Sequence, residues 1–108
     1  GDTEAAYELG TSMVNSKPVW RDYDEGARWL EKAANDGYST AQTSLAWLYL
    51  NGTGVPRDYI RSYAWASLGA TASTENRLRD KIESRMTSDQ VTRAQDLSRE
   101  LAERIANP

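Results

Sequence analysis

The feature that most constrains this chain is its similarity to itself at an offset of 36 residues. Setting residues 1–36 against 37–72 pairs Gly1 with Gly37, Ala5 with Ala41, Leu9 with Leu45, Asn15 with Asn51 and Val19 with Val55. It also pairs Arg21 with Arg57, Asp22 with Asp58, Tyr23 with Tyr59, Trp29 with Trp65 and Ala34 with Ala70, ten identities in 36 positions. Chance would give about two. A repeat of this length is one supersecondary unit that cannot bury its apolar face alone, so the units must stack.

Each unit reads as two antiparallel helices. In the second copy Ser39 and Gln42 have the spacing of a capping box, and Ala41, Leu45, Leu48 and Tyr49 recur on one helical face. Asn51 and Gly52 stop that helix, residues 53–56 turn, and Asp58 can cap the next helix, which carries Tyr59, Tyr63, Trp65 and Ala66. In the first copy Asp22 with Glu25 starts a helix bearing Trp29, Leu30 and Ala33, which Gly37 closes. Trp29, Trp65, Tyr23, Tyr59 and Tyr49 recur with the repeat and are expected in the core.

Beyond residue 73 the pattern changes. Leu78, Ile82 and Met86 form a narrow stripe on a short helix. Thr87 and Gln90 then have capping-box spacing before a long helix over 88–106, with Val91, Ala94, Leu97, Leu101 and Ile105 on its buried side. Glu75 with Arg79, Asp89 with Arg93 and Glu100 with Arg104 are expected as pairs one turn apart on outer faces. Such a segment suits the end of a solenoid, where the last repeat needs a cover with a polar outer side.

The expected architecture is all-α: an α/α solenoid of two hairpins over 1–74 (about 1–38 and 39–74), with a two-helix C-terminal cap over 75–108. Gly1 aligns with Gly37, so the register places the start of the chain at the end of a preceding repeat.

The residues Ala41, Leu45, Ala46, Tyr49, Gly52, Gly54, Val55, Asp58, Trp65 and Ala70 resemble the Sel-one-like repeat, a relative of the tetratricopeptide repeat. The resemblance covers residues 1 to about 76, and the remainder is similar to the helical tail that follows such repeats in bacterial members. The first copy departs from the pattern, with Met13 at the Tyr position, Ser16 and Pro18 for the turn glycines, and Trp20 opposite Pro56. The resemblance implies a protein or peptide interaction module, acting as adaptor or scaffold, whose first helices line a concave face.

By that logic Glu4, Tyr7, Glu8, Thr11, Val14 and Asn15 face inward from the first unit, and Thr43, Ser44, Trp47, Leu50 and Asn51 from the second. Trp47 stands out because its neighbours already fill the packing side. Its alternative is a packing contact with the tail helices. Trp20 is a candidate loop contact, or a cover for its own turn. Glu4 and Glu8 beside Tyr7 favour a basic partner, or form a solvated face. Two further readings stay open: a bacterial cell-wall glycan binder using Trp20 and Trp47 as stacking platforms, and a purely structural end cap.

Composition narrows the chemistry. The chain has no Cys and no His, which excludes thiol nucleophiles, Cys/His zinc sites and His proton shuttles, and no catalytic residue, metal site or cofactor is expected. Without Cys, the β-lactam binding of disulfide-rich bacterial members cannot be carried over. Net charge is −3, which does not fit a nucleic-acid binder, and no apolar run is long enough for membrane insertion. A bacterial periplasm or cell envelope is favoured over cytoplasm, with the oligomeric state unassigned.

Overall fold

A computed structural model describes residues 2–15, 22–69 and 75–107, and among these are six α-helices. They are α1 (Asp2–Asn15), α2 (Tyr23–Asn35), α3 (Ser39–Asn51), α4 (Tyr59–Leu68), α5 (Glu75–Glu83) and α6 (Ser88–Ala106). The first two pairs form hairpins, α2 packs against α3 to join them, and α5 and α6 both pack on α4. This is a helical-hairpin solenoid with its last hairpin covered.

The two hairpins share their local devices at positions 36 apart. Asp22 Oδ1 accepts from the Glu25 N–H (3.0 Å), and Asp58 Oδ1 accepts from the Arg61 N–H (3.1 Å). Each bond satisfies a helix-end donor, worth about 1 kcal/mol. The backbone N–H groups of the same aspartates donate to Met13 (3.1 Å) and Tyr49 (3.0 Å) carbonyls, tying the end of one helix to the start of the next. Residues 16–21, with Pro18 and Trp20, lie outside the described residues.

Small residues let the paired helices approach. A Cβ on Gly10 would stand 2.8 Å from the Gly26 carbonyl, so α1 and α2 meet backbone to backbone. In the second hairpin the matching positions are Ala46 and Ser62. The buried Ser62 hydroxyl donates to the Ala46 carbonyl at 2.6 Å, which satisfies both groups.

Leu30, Ala33 and Ala34 of α2 and Ala41, Leu45 and Leu48 of α3 are buried in one continuous core with Tyr49, Tyr63 and Trp65. Leu9 is 40% exposed although its repeat partner Leu45 is fully buried, because α2 covers Leu45's face of α3 while α1 packs extensively only on α2. Trp29, Tyr23 and Tyr59 are half-buried, at the margin of the core rather than inside it.

Three expectations are corrected. Ser39 and Gln42 do not form a capping box: Tyr38 is the N-cap without a side-chain bond, and Gln42 turns inward to donate Nε2 to the Ala34 carbonyl at 3.0 Å. That carbonyl at the end of α2 also accepts from the Gly37 N–H at 3.0 Å, so Gln42 fills its second lone pair and satisfies its own buried amide. Leu50 belongs to the core at 1% exposure, not to the concave face. Neither Asp89 with Arg93 nor Glu100 with Arg104 forms an ion pair, and α6 instead pairs Arg99 with Asp96 three residues before it. The side chain of Glu75 lies outside the described residues.

The tail helices follow the sequence reading. Thr87 and Gln90 make both bonds of a capping box, 3.2 and 2.9 Å, and Leu78, Ile82, Ala94 and Leu101 join the core.

Gly52 and Gly54 adopt positive φ (69° and 75°), but their surroundings differ. A Cβ on Gly52 meets nothing nearer than 3.4 Å, whereas one on Gly54 would lie 2.2 Å from the Tyr23 carbonyl at the start of α2. Gly52→Ala is expected to lose roughly 1 kcal/mol from left-handed strain, and Gly54→Ala roughly 2–4 kcal/mol because the loop must also move off α2. Urea denaturation of both variants measures the difference; equal losses would show that the contact with α2 is not a constraint.

Candidate functional site

The site is built from the inner helices of the two hairpins. On α3, Ala46 and Leu48 are buried while Trp47 between them is 40% exposed. Helical geometry turns one position in this run outward, and the sequence places its largest side chain there. Beside Trp47 is a cavity of ≈ 170 Å³ lined by Thr11 and Val14 of α1, Leu30 of α2, and Ser44, Trp47 and Leu48 of α3. Its floor is apolar, since Leu30 is 1% exposed.

In the lining of this cavity the Thr11 Oγ1 atom is buried and has no hydrogen-bond partner. Outside the lining, Lys81 of α5 places Nζ 5.2 Å from the centroid of the Trp47 ring. A cation over an exposed indole contributes about 0.5–1 kcal/mol. Trp47 is thus exposed on α3 and also takes a contact from the tail.

The structure brings together Thr11, Ser44 and Trp47 from the expected inner face, with Val14. Glu8 and Glu4 are exposed on α1, three and seven residues before Thr11, and so share its side of the helix. Asn51 is exposed at the end of α3. Tyr7 is half-buried and stacks on Tyr38, with ring centroids 5.0 Å apart at 26°. Thr43 donates its hydroxyl to the Gly69 carbonyl at 3.1 Å and lies 3.3 Å from the Ser39 carbonyl. Tyr7 and Thr43 thus serve contacts between successive elements. The side chain of Asn15 and all of Trp20 lie outside the described residues.

Lys81, Leu30 and Leu48 were not legible as site residues. Leu30 and Leu48 carry only the signature of core positions, and Lys81 lies beyond the repeat, where the period says nothing about which side chain returns to Trp47.

A second cleft of ≈ 200 Å³ lies on the outer side between α2, α4 and α6, lined in part by Glu31, Arg61, Trp65, Leu101 and Arg104. Arg61 is anchored there: Nη1 donates to the Tyr49 hydroxyl (3.5 Å), the guanidinium stands 5.9 Å over that ring, and Nε pairs with Asp58 (3.4 Å). The Tyr49 hydroxyl bond, above all, raises the Arg61 pKa from its ordinary value, so Arg61 is a fixed cation. Among the described residues no group of three or more acidic side chains could hold a metal ion, and no helix is long and apolar enough to cross a membrane.

The Sel1 repeat family matches residues 3–38 and 39–73, about two-thirds of the chain and both hairpins. The chain belongs to the Sel1 repeat family. Sel1 repeats are generally protein–protein interaction modules on a fold that is generally non-catalytic. A solved structure similar to this Sel1 repeat chain is that of c5321, a protective antigen of uropathogenic Escherichia coli strains that displays an SLR fold. The two share 33% identity with a TM-score of 0.89, over 98% of this chain and 23% of that one. The chain therefore spans about a quarter of its neighbour's length. No protein of curated function matches the sequence.

The unbonded Thr11 hydroxyl gives a direct check on the cavity. Thr11→Val replaces a buried, unsatisfied oxygen with a methyl group of similar size and is expected to stabilise the protein by about 1 kcal/mol. A thermal melt reads the change. Destabilisation by a similar amount would mean that the hydroxyl has a partner.

Proposed function

We propose that this Sel1 repeat chain is an adaptor or scaffold segment that holds a peptide of a partner protein on the inner face of α1 and α3. The observation that carries the reading is Trp47: a large aromatic side chain, 40% exposed, fixed between buried neighbours beside a cavity that Val14, Leu30 and Leu48 help to line. Such residues are favoured binding anchors because they bury much area while losing little conformational freedom. Glu4 and Glu8 on the α1 side and Lys81 on the α5 side favour a segment with an apolar side chain for the cavity, a basic residue towards α1 and an acidic one towards α5. Thr11 and Ser44 supply polar groups at the edge.

The glycan reading relied on Trp20 and Trp47 as paired platforms. Lys81 already occupies one side of the Trp47 ring, which favours the peptide reading over it. The packing of α5 and α6 on α4 supports an additional role for the tail as the cover of this end of the array.

Selection of peptides from a displayed random library tests the proposal. Peptides that bind are expected to share an apolar anchor, and Trp47→Ala should weaken them at least about tenfold while the helical melting transition persists. Binding indifferent to Trp47→Ala would place recognition elsewhere. A Trp fluorescence response to cell-wall glycan fragments, lost in the same variant, would favour the glycan alternative.

A further inference from the structure

The largest of the described clefts is not on the inner face. It measures ≈ 370 Å³, lies where α4 meets the two tail helices, and is lined by Tyr63, Ser67, Arg79, Gln95, Ser98 and Arg99. Small-molecule sites begin at about 300 Å³ and are mostly apolar. Here, by contrast, every lining residue brings a polar end group.

The state of those groups matters more than their number. Arg99 is paired with Asp96. Among the described residues the other five side chains have no hydrogen-bond or ion-pair partner and no carboxylate stands within 4 Å of Arg79; the side chain of Glu75, one turn before it, lies outside the described residues. Tyr63 is 6% exposed, so its ring is buried, yet its hydroxyl is not among the enclosed polar atoms that lack a partner. That oxygen therefore opens on the cleft. Three helices thus hold a guanidinium, a carboxamide and three hydroxyls around one space, none of them bonded to another described group of the protein.

This set is rich in donors. The Arg79 guanidinium donates and never accepts, the Gln95 amide offers two N–H groups, and each hydroxyl offers one O–H. Its complement is a ligand dense in acceptors and negatively charged. A carboxylate presents two oxygens in one plane, whereas a phosphoryl group presents three outward, matching donors that converge from three helices. Asp96, the partner of Arg99, has its charge matched, so among the described residues Arg79 is the lining cation without a carboxylate partner.

We propose that the cleft between α4, α5 and α6 binds a phosphoryl oxyanion, with Arg79 as the charged anchor and Ser67, Ser98, Gln95 and the Tyr63 hydroxyl as hydrogen-bond donors. The source is either free phosphate or a phosphorylated side chain. This site is independent of Trp47 and of any peptide on the inner face.

The test is an NMR titration of the ¹⁵N-labelled 108-residue chain with inorganic phosphate, at ionic strength held constant with sodium chloride. Saturable shifts confined to the amides around Ser67, Arg79, Gln95 and Ser98 are expected, and Arg79→Gln should weaken binding at least about tenfold. Ser98→Ala, on the partly exposed side of α6, is expected to weaken it a few-fold and provides the reading should Arg79→Gln fail to fold. Parallel titrations with O-phosphoserine and acetate separate the sources: phosphoserine tighter than phosphate indicates a phosphorylated side chain, and the reverse indicates the free ion. Acetate binding as well as phosphate would overturn the phosphoryl assignment. Shifts spread over all basic residues, no saturation, or an unchanged response in Arg79→Gln and Ser98→Ala would overturn the site.

Discussion

The contact between α2 and α3 is the interaction on which the rest of the structure depends. A single helical hairpin has too little interior to hold itself together, and here the second hairpin supplies what the first lacks. Leu30, Ala33 and Ala34 on one side and Ala41 and Leu45 on the other are exposed by 1% or less. Their small average size brings the helices close, and closeness creates a further demand. Gln42 is buried between the two helices, and its amide is satisfied by donating to the Ala34 carbonyl, which also accepts from the Gly37 N–H. A residue with the spacing of a helix cap is thereby committed to the interface between repeats.

From that contact the division of labour along α3 follows. One face is taken up by α2, a second by α4 through Ala46 and Ser62, and a third by Gly69 through Thr43. Trp47 occupies the direction that remains. Its exposure is a consequence of how many neighbours the stack gives its helix, and the same stacking sets Thr11 and Val14 of α1 across the cavity from it. The tail adds Lys81 at one rim and, with α4, encloses the polar cleft on another side. Packing the tail on α4 and shaping two clefts are thus one structural event.

Much of the fold was legible because its signals are local. The aspartates at positions 22 and 58, the Gly52 and Gly54 turn, the Thr87 and Gln90 box and the apolar stripe of α6 each depend on a few neighbouring residues, and each appears where the pattern placed it. The cavity beside Trp47 was legible in part. Thr11, Ser44 and Trp47 meet as helical spacing and stacking require, while Tyr7 and Thr43 engage Tyr38 and Gly69, partners that helical spacing does not reveal. Leu50 was placed on the wrong side because a helix position next to a groove differs from one next to a following helix only by what packs there.

By itself, the sequence determined the period of 36 residues, the helical hairpin as the unit, the change of character after residue 73 and the absence of Cys and His chemistry. These are properties of spacing and composition. Only the tertiary structure decided that Leu9 is exposed while Leu45 is buried, that Thr11 carries an unsatisfied hydroxyl, that Lys81 lies over Trp47, and that Arg79 opens on a cleft with α4 and α6. The reason is physical: identical positions in two repeats share their local forces, but burial, hydrogen-bond satisfaction and charge pairing depend on the elements that surround each copy, and the two copies have different neighbours.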